Sequence, residues 1–230
     1  MQAVILCAGK GTRLNPLTET IPKVMLPVGG EPLLGRHIKH LKKYGINEFF
    51  INLHYLPDSI TEYLGTGEKF NVRINYSKEK ELLGTGGALV PFKKQLKETF
   101  FLLYGDILTQ LDIDKLLQFH KEKNAEITAV VTQTDHPLDS DLVSVSSDSR
   151  VEKLYFKPHK KQHKTGYGLA AVYMIEAKTL DSLNEGVLEF EKGFLQKILK
   201  EGRPVYAYVT NELVNDIGTP ERYAKNKDTI

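Results

Sequence analysis

Residues 6–14 read L-C-A-G-K-G-T-R-L and hold the densest set of groups able to handle a polyanion. Gly9 and Gly11 reach backbone angles closed to other residues, which lets backbone N–H groups approach phosphate oxygens. Arg13 adds a planar, permanently charged fork suited to the same oxygens, and Thr12 adds a hydroxyl donor. Lys23 follows ten residues after Arg13, in I-P-K-V-M-L-P, between a proline and an apolar run where a merely solubilising charge is poorly placed. A carboxylate is a good ligand for a hard cation, but one alone does not make a site. Asp106 follows Gly105 at the end of an apolar run, where an open parallel sheet places its ligands. Asp216 stands in N-D-I-G-T-P-E-R-Y, where Gly218 and Thr219 would equally suit a helix cap.

The loop admits two readings: one that grips phosphates, or a strand-to-helix turn with an incidental arginine. Two other phosphate loops are excluded. G-x-G runs into Thr-Arg-Leu without the third glycine of a dinucleotide fingerprint, and the Gly-Lys-Ser/Thr ending of a Walker A loop is missing. His37 and His40 lie three apart on a predicted helix with no carboxylate partner, and are expected at the surface. The acids of residues 135–143 lack EF-hand spacing. His159, Lys160, Lys161, His163 and Lys164 form a basic stretch expected as a solvated loop.

The elements that position these groups follow from pattern. The chain has 230 residues, 41% hydrophobic and 26% charged, which is the composition of a folded protein. Net charge is +2 with the basic residues dispersed, which argues against nucleic acid as a partner. The single cysteine, Cys7, allows no intrachain disulfide. The apolar start is too short for a signal peptide or a membrane span, so a cytoplasmic location without membrane contact is expected.

Residues 2–7 form a continuous apolar run typical of a strand buried on both faces. A Gly/Pro-rich loop over 8–30 precedes a helical pattern over 33–44, stopped by Gly45. Strands are predicted at 49–53, 72–76, 100–104 and 127–132, with helices at 59–64, 83–94 and 113–123 between them. This alternation implies βαβ units and a mainly parallel sheet. Beyond residue 135 the pattern turns β-rich: a hairpin over 142–145 and 151–156, then strands at 167–175, 205–209 and 214–217. A helix over 194–201 and another from Pro220 complete it. One domain is expected, with residues 1–135 as one portion and 136–230 as the other.

Taken together, G-x-G-T-R-L and P-K-x-M-L-P resemble the signature of the sugar-1-phosphate nucleotidylyltransferases, and the likeness extends nearly end to end. The resemblance implies a Rossmann-like α/β fold with an added β-rich sugar-binding portion. It also implies a magnesium-dependent reaction in which an NTP and a sugar 1-phosphate give an NDP-sugar and pyrophosphate. In such a site the backbone of Ala8, Gly9 and Gly11, with Thr12, would cradle phosphate and base. Arg13 would hold the β- and γ-phosphates, and Lys23 would neutralise charge at the α-phosphate. L-L-G-T-G-G-A, residues 82–88, looks like the second nucleotide loop of that family, with Gly84 and Thr85 against the base and Glu79 nearby. Asp106 and Asp216 would ligate Mg2+, and Gly105 and Lys157 would face the sugar phosphate.

Two departures bear on the sugar. Members often carry Glu before the lysine that matches Lys157, where this chain has Phe156, and commonly Asn-Ala-Gly where it has Leu169-Ala170-Ala171. Residues 135–143 and F-E-K at 190–192 look like members that use GTP with mannose- or heptose-type 1-phosphates. Users of UTP, dTTP or CTP, and a catalytically silent nucleotide- or sugar-sensing relative, are the alternatives. The joint presence of Arg13, Lys23, Asp106, Lys157 and Asp216 counts against the silent relative. Association with further copies of the chain is left open.

Overall fold

The computed structural model describes residues 1–134, 137–159 and 165–229. Asp135 and His136 of the acidic run, and Lys160, Lys161, His163 and Lys164 of the basic stretch, lie outside the described residues. The strands are β1 Gln2–Leu6, β2 Pro27–Val28, β3 Glu31–Pro32, β4 Glu48–Leu53, β5 Arg73–Lys78, β6 Thr99–Tyr104 and β7 Ile107–Thr109. They continue with β8 Ile127–Gln133, β9 Leu142–Val145, β10 Val151–Tyr155, β11 Tyr167–Glu176, β12 Val205–Val209 and β13 Val214–Asp216. The helices are α1 Leu33–Lys42, α2 Pro57–Leu64, α3 Gly84–Gly87, α4 Ile113–Glu122, α5 Gln196–Lys200 and α6 Pro220–Asn226.

The central layer runs β5-β4-β1-β6-β11-β8-β12. Every strand in it points the same way except β11, which is antiparallel to both neighbours. The fold is therefore mixed α/β around a mainly parallel sheet. Strand β11 is longer than β6, and its free end pairs with β9 at Gly168↔Leu142. The β9–β10 hairpin is attached there.

Alternation along the strands builds a core on each face. Ala3, Ile5, Phe49, Ile51, Phe101 and Leu103 face Leu34, Ile38 and Leu41 of α1, and Ile113 and Leu116 of α4. Val4, Phe50, Phe100 and Leu102 face Phe190, Phe194 and Ile198. Such two-sided burial is why β1, β4 and β6 read as unbroken apolar runs. Removing one of the buried rings, such as Phe101, would cost about 3–5 kcal/mol. Caps fix where two helices begin: Asp112 accepts from Lys115 N, and Thr219 accepts from Arg222 N with Pro220 in the first turn.

Two helix expectations need correction. The helix expected over 83–94 is only the short turn α3, followed by a 3-10 turn at Val90–Phe92, because Pro91 cannot continue the hydrogen-bond ladder. The helix expected from 194 begins earlier, as a π-helical turn at Phe190–Leu195 that runs into α5.

Candidate functional site

Strands β1 and β6 lie side by side, and their last residues, Leu6 and Tyr104, are in register. Strands β4 and β5 extend the sheet on one side of β1 and β6 adjoins the other, so the chain reverses its direction of winding there. An open sheet leaves a crevice at such a point. Residues 7–13 emerge from β1, and Gly105-Asp106 from β6.

The loop after β1 is tied down from below. Cys7 N donates to Asn52 Oδ1 at 2.8 Å, Asn52 Nδ2 donates to Glu79 Oε1 at 2.8 Å, and Leu83 N donates to Glu79 Oε2 at 3.0 Å. Glu79 is thus a buried clamp joining the two glycine-rich loops through β4. Gly11 has φ 66°, and a Cβ there would stand 3.1 Å from Lys23 Cβ and 3.2 Å from Thr18 Cγ2. Only glycine suits that conformation and that approach, so Gly11 and Lys23 form one packed unit. The turn Thr12–Leu14 buries Leu14 and leaves Ala8 covered, while Gly9, Thr12 and Arg13 are open to solvent.

The second loop is held by the Phe190 segment. Gly84 has φ 73°, and the N–H groups of Gly86 and Gly87 donate to Leu188 O at 2.7 and 3.0 Å. Thr85 Oγ1 donates to Glu189 Oε2 at 3.2 Å and accepts from Phe190 N at 2.8 Å.

The two aspartates meet through a small sheet: its strand β13 matches the one expected at 214–217, whereas β7 and the pairing of the two were not expected from the sequence. Strand β13 pairs antiparallel with β7, with Asp216 opposite Ile107, and Ile217 N donates to Asp106 O at 3.0 Å. A Cβ on Gly218 would lie 2.6 Å from Asp216 Oδ1, 2.9 Å from Arg13 Nη2 and 3.5 Å from Asp106 Oδ2. Both carboxylates and the Arg13 guanidinium therefore converge on one glycine. Each carboxylate also has a cation: Lys23 Nζ pairs with Asp106, and Arg222 Nη1 stands 2.5 Å from Asp216 Oδ2. Among the described residues no cluster of three or more His, Cys, Asp or Glu forms a complete metal cage. Two carboxylates without a cage suit a hard cation that takes its remaining ligands from phosphate and water.

His37 corrects the expectation of a surface residue. It is buried, and its Nε2–H donates to Gly105 O at 3.1 Å, directly beneath the Gly105-Asp106 turn. Burial lowers its pKa to about 4, so the ring stays neutral and keeps that bond. His40 Nε2 similarly donates to Leu111 O at 2.9 Å.

A cavity of about 1050 Å³ opens beside the aspartates, reaching Arg13, Lys157, Asp216 and Arg222 at its polar end and Leu169, Ala170 and Ala171 on β11. Lys157 is exposed, and its Nζ donates to Asp139 O at 3.0 Å. Phe156 and Leu169 pack against the core, so neither restores a polar group. Of the sequence-predicted residues, Arg13, Asp106, Lys157 and Asp216 line this cavity, and Lys23 backs it through Asp106. Ala8, Gly9, Gly11, Thr12, Glu79, Gly84 and Thr85 belong to the two loops and are not part of its lining.

A glycine-rich loop at a switch point, with an arginine and two carboxylates beside it, is an arrangement suited to phosphate chemistry. The chain belongs to the nucleotidyl transferase family, whose pattern matches residues 2–230. It is 32% identical to mannose-1-phosphate guanylyltransferase 1 of Arabidopsis thaliana over 97% of this chain and 63% of that protein. It is 31% identical to the bifunctional protein GlmU of Methanococcus maripaludis over 96% of this chain and 52% of that protein. The chain thus spans between half and two thirds of the length of these curated relatives. HddC of Yersinia pseudotuberculosis, solved in complex with GMP-PN, superposes with a TM-score of 0.82 at 26% identity, covering 99% of this chain and 98% of that one. Among the described residues no helix is long and apolar enough to cross a membrane.

Proposed function

We propose that the chain joins an NTP to a sugar 1-phosphate, giving an NDP-sugar and pyrophosphate. The observation that carries this reading is the convergence of Arg13, Asp106 and Asp216 on Gly218, with Lys23 behind and Lys157 across the cavity. A phosphate oxygen of the sugar 1-phosphate attacks the α-phosphorus in line. The bond from that phosphorus to the bridging oxygen breaks, and pyrophosphate leaves with the electron pair. The attacking oxygen is already anionic at neutral pH, so no proton has to be removed. Catalysis then rests on orientation and on charge neutralisation.

In this reading Asp106 and Asp216 hold a divalent metal ion, magnesium being the expected one. When bound, it supplies charge stabilisation at phosphate oxygens. The loop of Ala8, Gly9, Gly11 and Thr12 holds the triphosphate, Arg13 favours departure of pyrophosphate, and Lys23 offsets charge at the α-phosphorus. Gly84 and Thr85 border the base. Lys157 binds the phosphate of the nucleophile, and Gly105, where an added Cβ would stand 2.7 Å from Leu6 O and Val24 Cγ1, lets the turn before Asp106 pack closely against β1.

GTP with a mannose- or heptose-type 1-phosphate is the favoured pair, supported by likeness to a mannose-1-phosphate guanylyltransferase and to a protein solved with GMP-PN. The test is pyrophosphate release from four NTPs against a panel of sugar 1-phosphates. The expected result is release with at least one pair, highest with GTP. Absence of release from every pair would replace this reading with a silent nucleotide- or sugar-sensing role.

A further inference from the structure

Glu191 is a titratable group on the cavity wall that the phosphate chemistry does not use. It sits in the π-helical turn Phe190–Leu195, half-buried. Tyr104 and Tyr173 each donate a hydroxyl to its Oε1 at 2.7 Å, and neither reaches Oε2. Tyr173 is fully buried, and Tyr104 ends β6 two residues before Asp106. The carboxylate is thereby fastened to the same strand end that carries a proposed metal ligand. Burial favours its protonated form, and the two tyrosine hydroxyls oppose that by stabilising the charge.

The surrounding wall gives this carboxylate a use. Leu169, Ala170 and Ala171 present an apolar surface to the cavity, and Phe156 is turned to the core with Lys192 Nζ 5.9 Å from its ring centre. A pyranose ring has an apolar C–H face and a rim of hydroxyl donors. The β11 wall suits the face, and the hydroxyls need acceptors, since an unpaired buried donor is costly. A half-buried carboxylate fixed by two tyrosines is a strong, pre-oriented acceptor.

We propose that Glu191, held by Tyr104 and Tyr173, binds a hydroxyl of the sugar ring and so sets which sugar 1-phosphate is accepted. This rests on the activity proposed above. It moves hydroxyl recognition from positions 156 and 169 to the turn after the second nucleotide loop.

The test uses the full chain with GTP and its best sugar 1-phosphate, compared with the singly deoxygenated forms of that sugar. Wild type is expected to reject one deoxy form by about 10- to 100-fold in kcat/KM, the range of one charge-assisted hydrogen bond. Glu191→Gln should raise the KM for the parent sugar 1-phosphate by a similar factor, leave the KM for GTP unchanged, and abolish the discrimination at that one position. A purely structural loss would not act on a single hydroxyl. If Glu191→Gln melts below the assay temperature, Glu191→Asp keeps the charge, withdraws it by one methylene, and should show the same collapse. Discrimination kept at every hydroxyl would overturn the proposal while leaving the activity standing. No pyrophosphate from wild type with any pair would remove both.

Discussion

Asp216 stands in register with Ile107, the residue that follows Asp106, so two carboxylates far apart in the chain arrive side by side. The pairing of β7 with β13 does this with three residues on each strand. Gly218 then leaves the space into which both carboxylates and Arg13 point.

Asp106→Asn keeps the shape and removes the charge. It should lower kcat roughly 100-fold or more, since metal-borne charge stabilisation contributes several kcal/mol. The KM for GTP should change little. Binding of Mn2+, followed by electron paramagnetic resonance, should weaken in parallel. Near-normal turnover together with unchanged Mn2+ binding would remove Asp106 from the metal site.

Lys157→Ala acts at the other end of the cavity. Loss of a charge-assisted contact should raise the KM for the sugar 1-phosphate about 10- to 100-fold. Steady-state kinetics with sugar phosphate varied at saturating GTP provides the measurement. An unchanged dependence on sugar phosphate would place Lys157 outside the site.

His37 links pH to stability. Its folded-state pKa is about 4, below the ordinary value of 6.5 that holds in the unfolded chain, so the unfolded state binds more protons between these values. Its contribution is fully present above pH 6.5 and is lost as pH falls toward 4. The loss is of order 3 kcal/mol. Urea unfolding from pH 7.5 to 4.5 should show the decline, and His37→Gln should flatten it. Equal slopes in the two proteins would contradict the buried neutral ring.

Ala171 lies in the irregular stretch of β11 with φ 55°, at the position where the resembling family commonly has glycine. A non-glycine residue there carries about 1–2 kcal/mol of strain. Ala171→Gly should relieve it, offset by the extra chain entropy of glycine, for a net gain of up to about 1 kcal/mol. Ala171→Val should destabilise, because a β-branched side chain tolerates positive φ poorly. Thermal denaturation of the pair decides it, and a lower melting temperature for the glycine variant would refute the strain.

Much of the scaffold was legible in the residue pattern. Strands β1, β4 and β6 announce themselves as apolar runs because both sheet faces are covered, and α1 and α4 do so through residues such as Ile38 and Leu116 at helical spacing. Short elements escaped. A three-residue strand has no readable period, so β7 and its pairing with the expected strand at 214–217 could not be anticipated, and the π-helical start at Phe190 looks like any aromatic-rich turn.

The site divides along the same line. Gly9, Gly11, Arg13 and Lys23 are near neighbours in sequence, and the requirement for glycine at position 11 is a local backbone property. The sequence by itself therefore determined the phosphate-type loop, the alternating α/β order and the loss of polar residues at 156 and 169. Only the tertiary structure decided that Asp216 meets Asp106, that His37 is buried under Gly105, and that Glu191 is clasped by Tyr104 and Tyr173. Each of these depends on strand register and on packing between distant segments, and no local spacing encodes either.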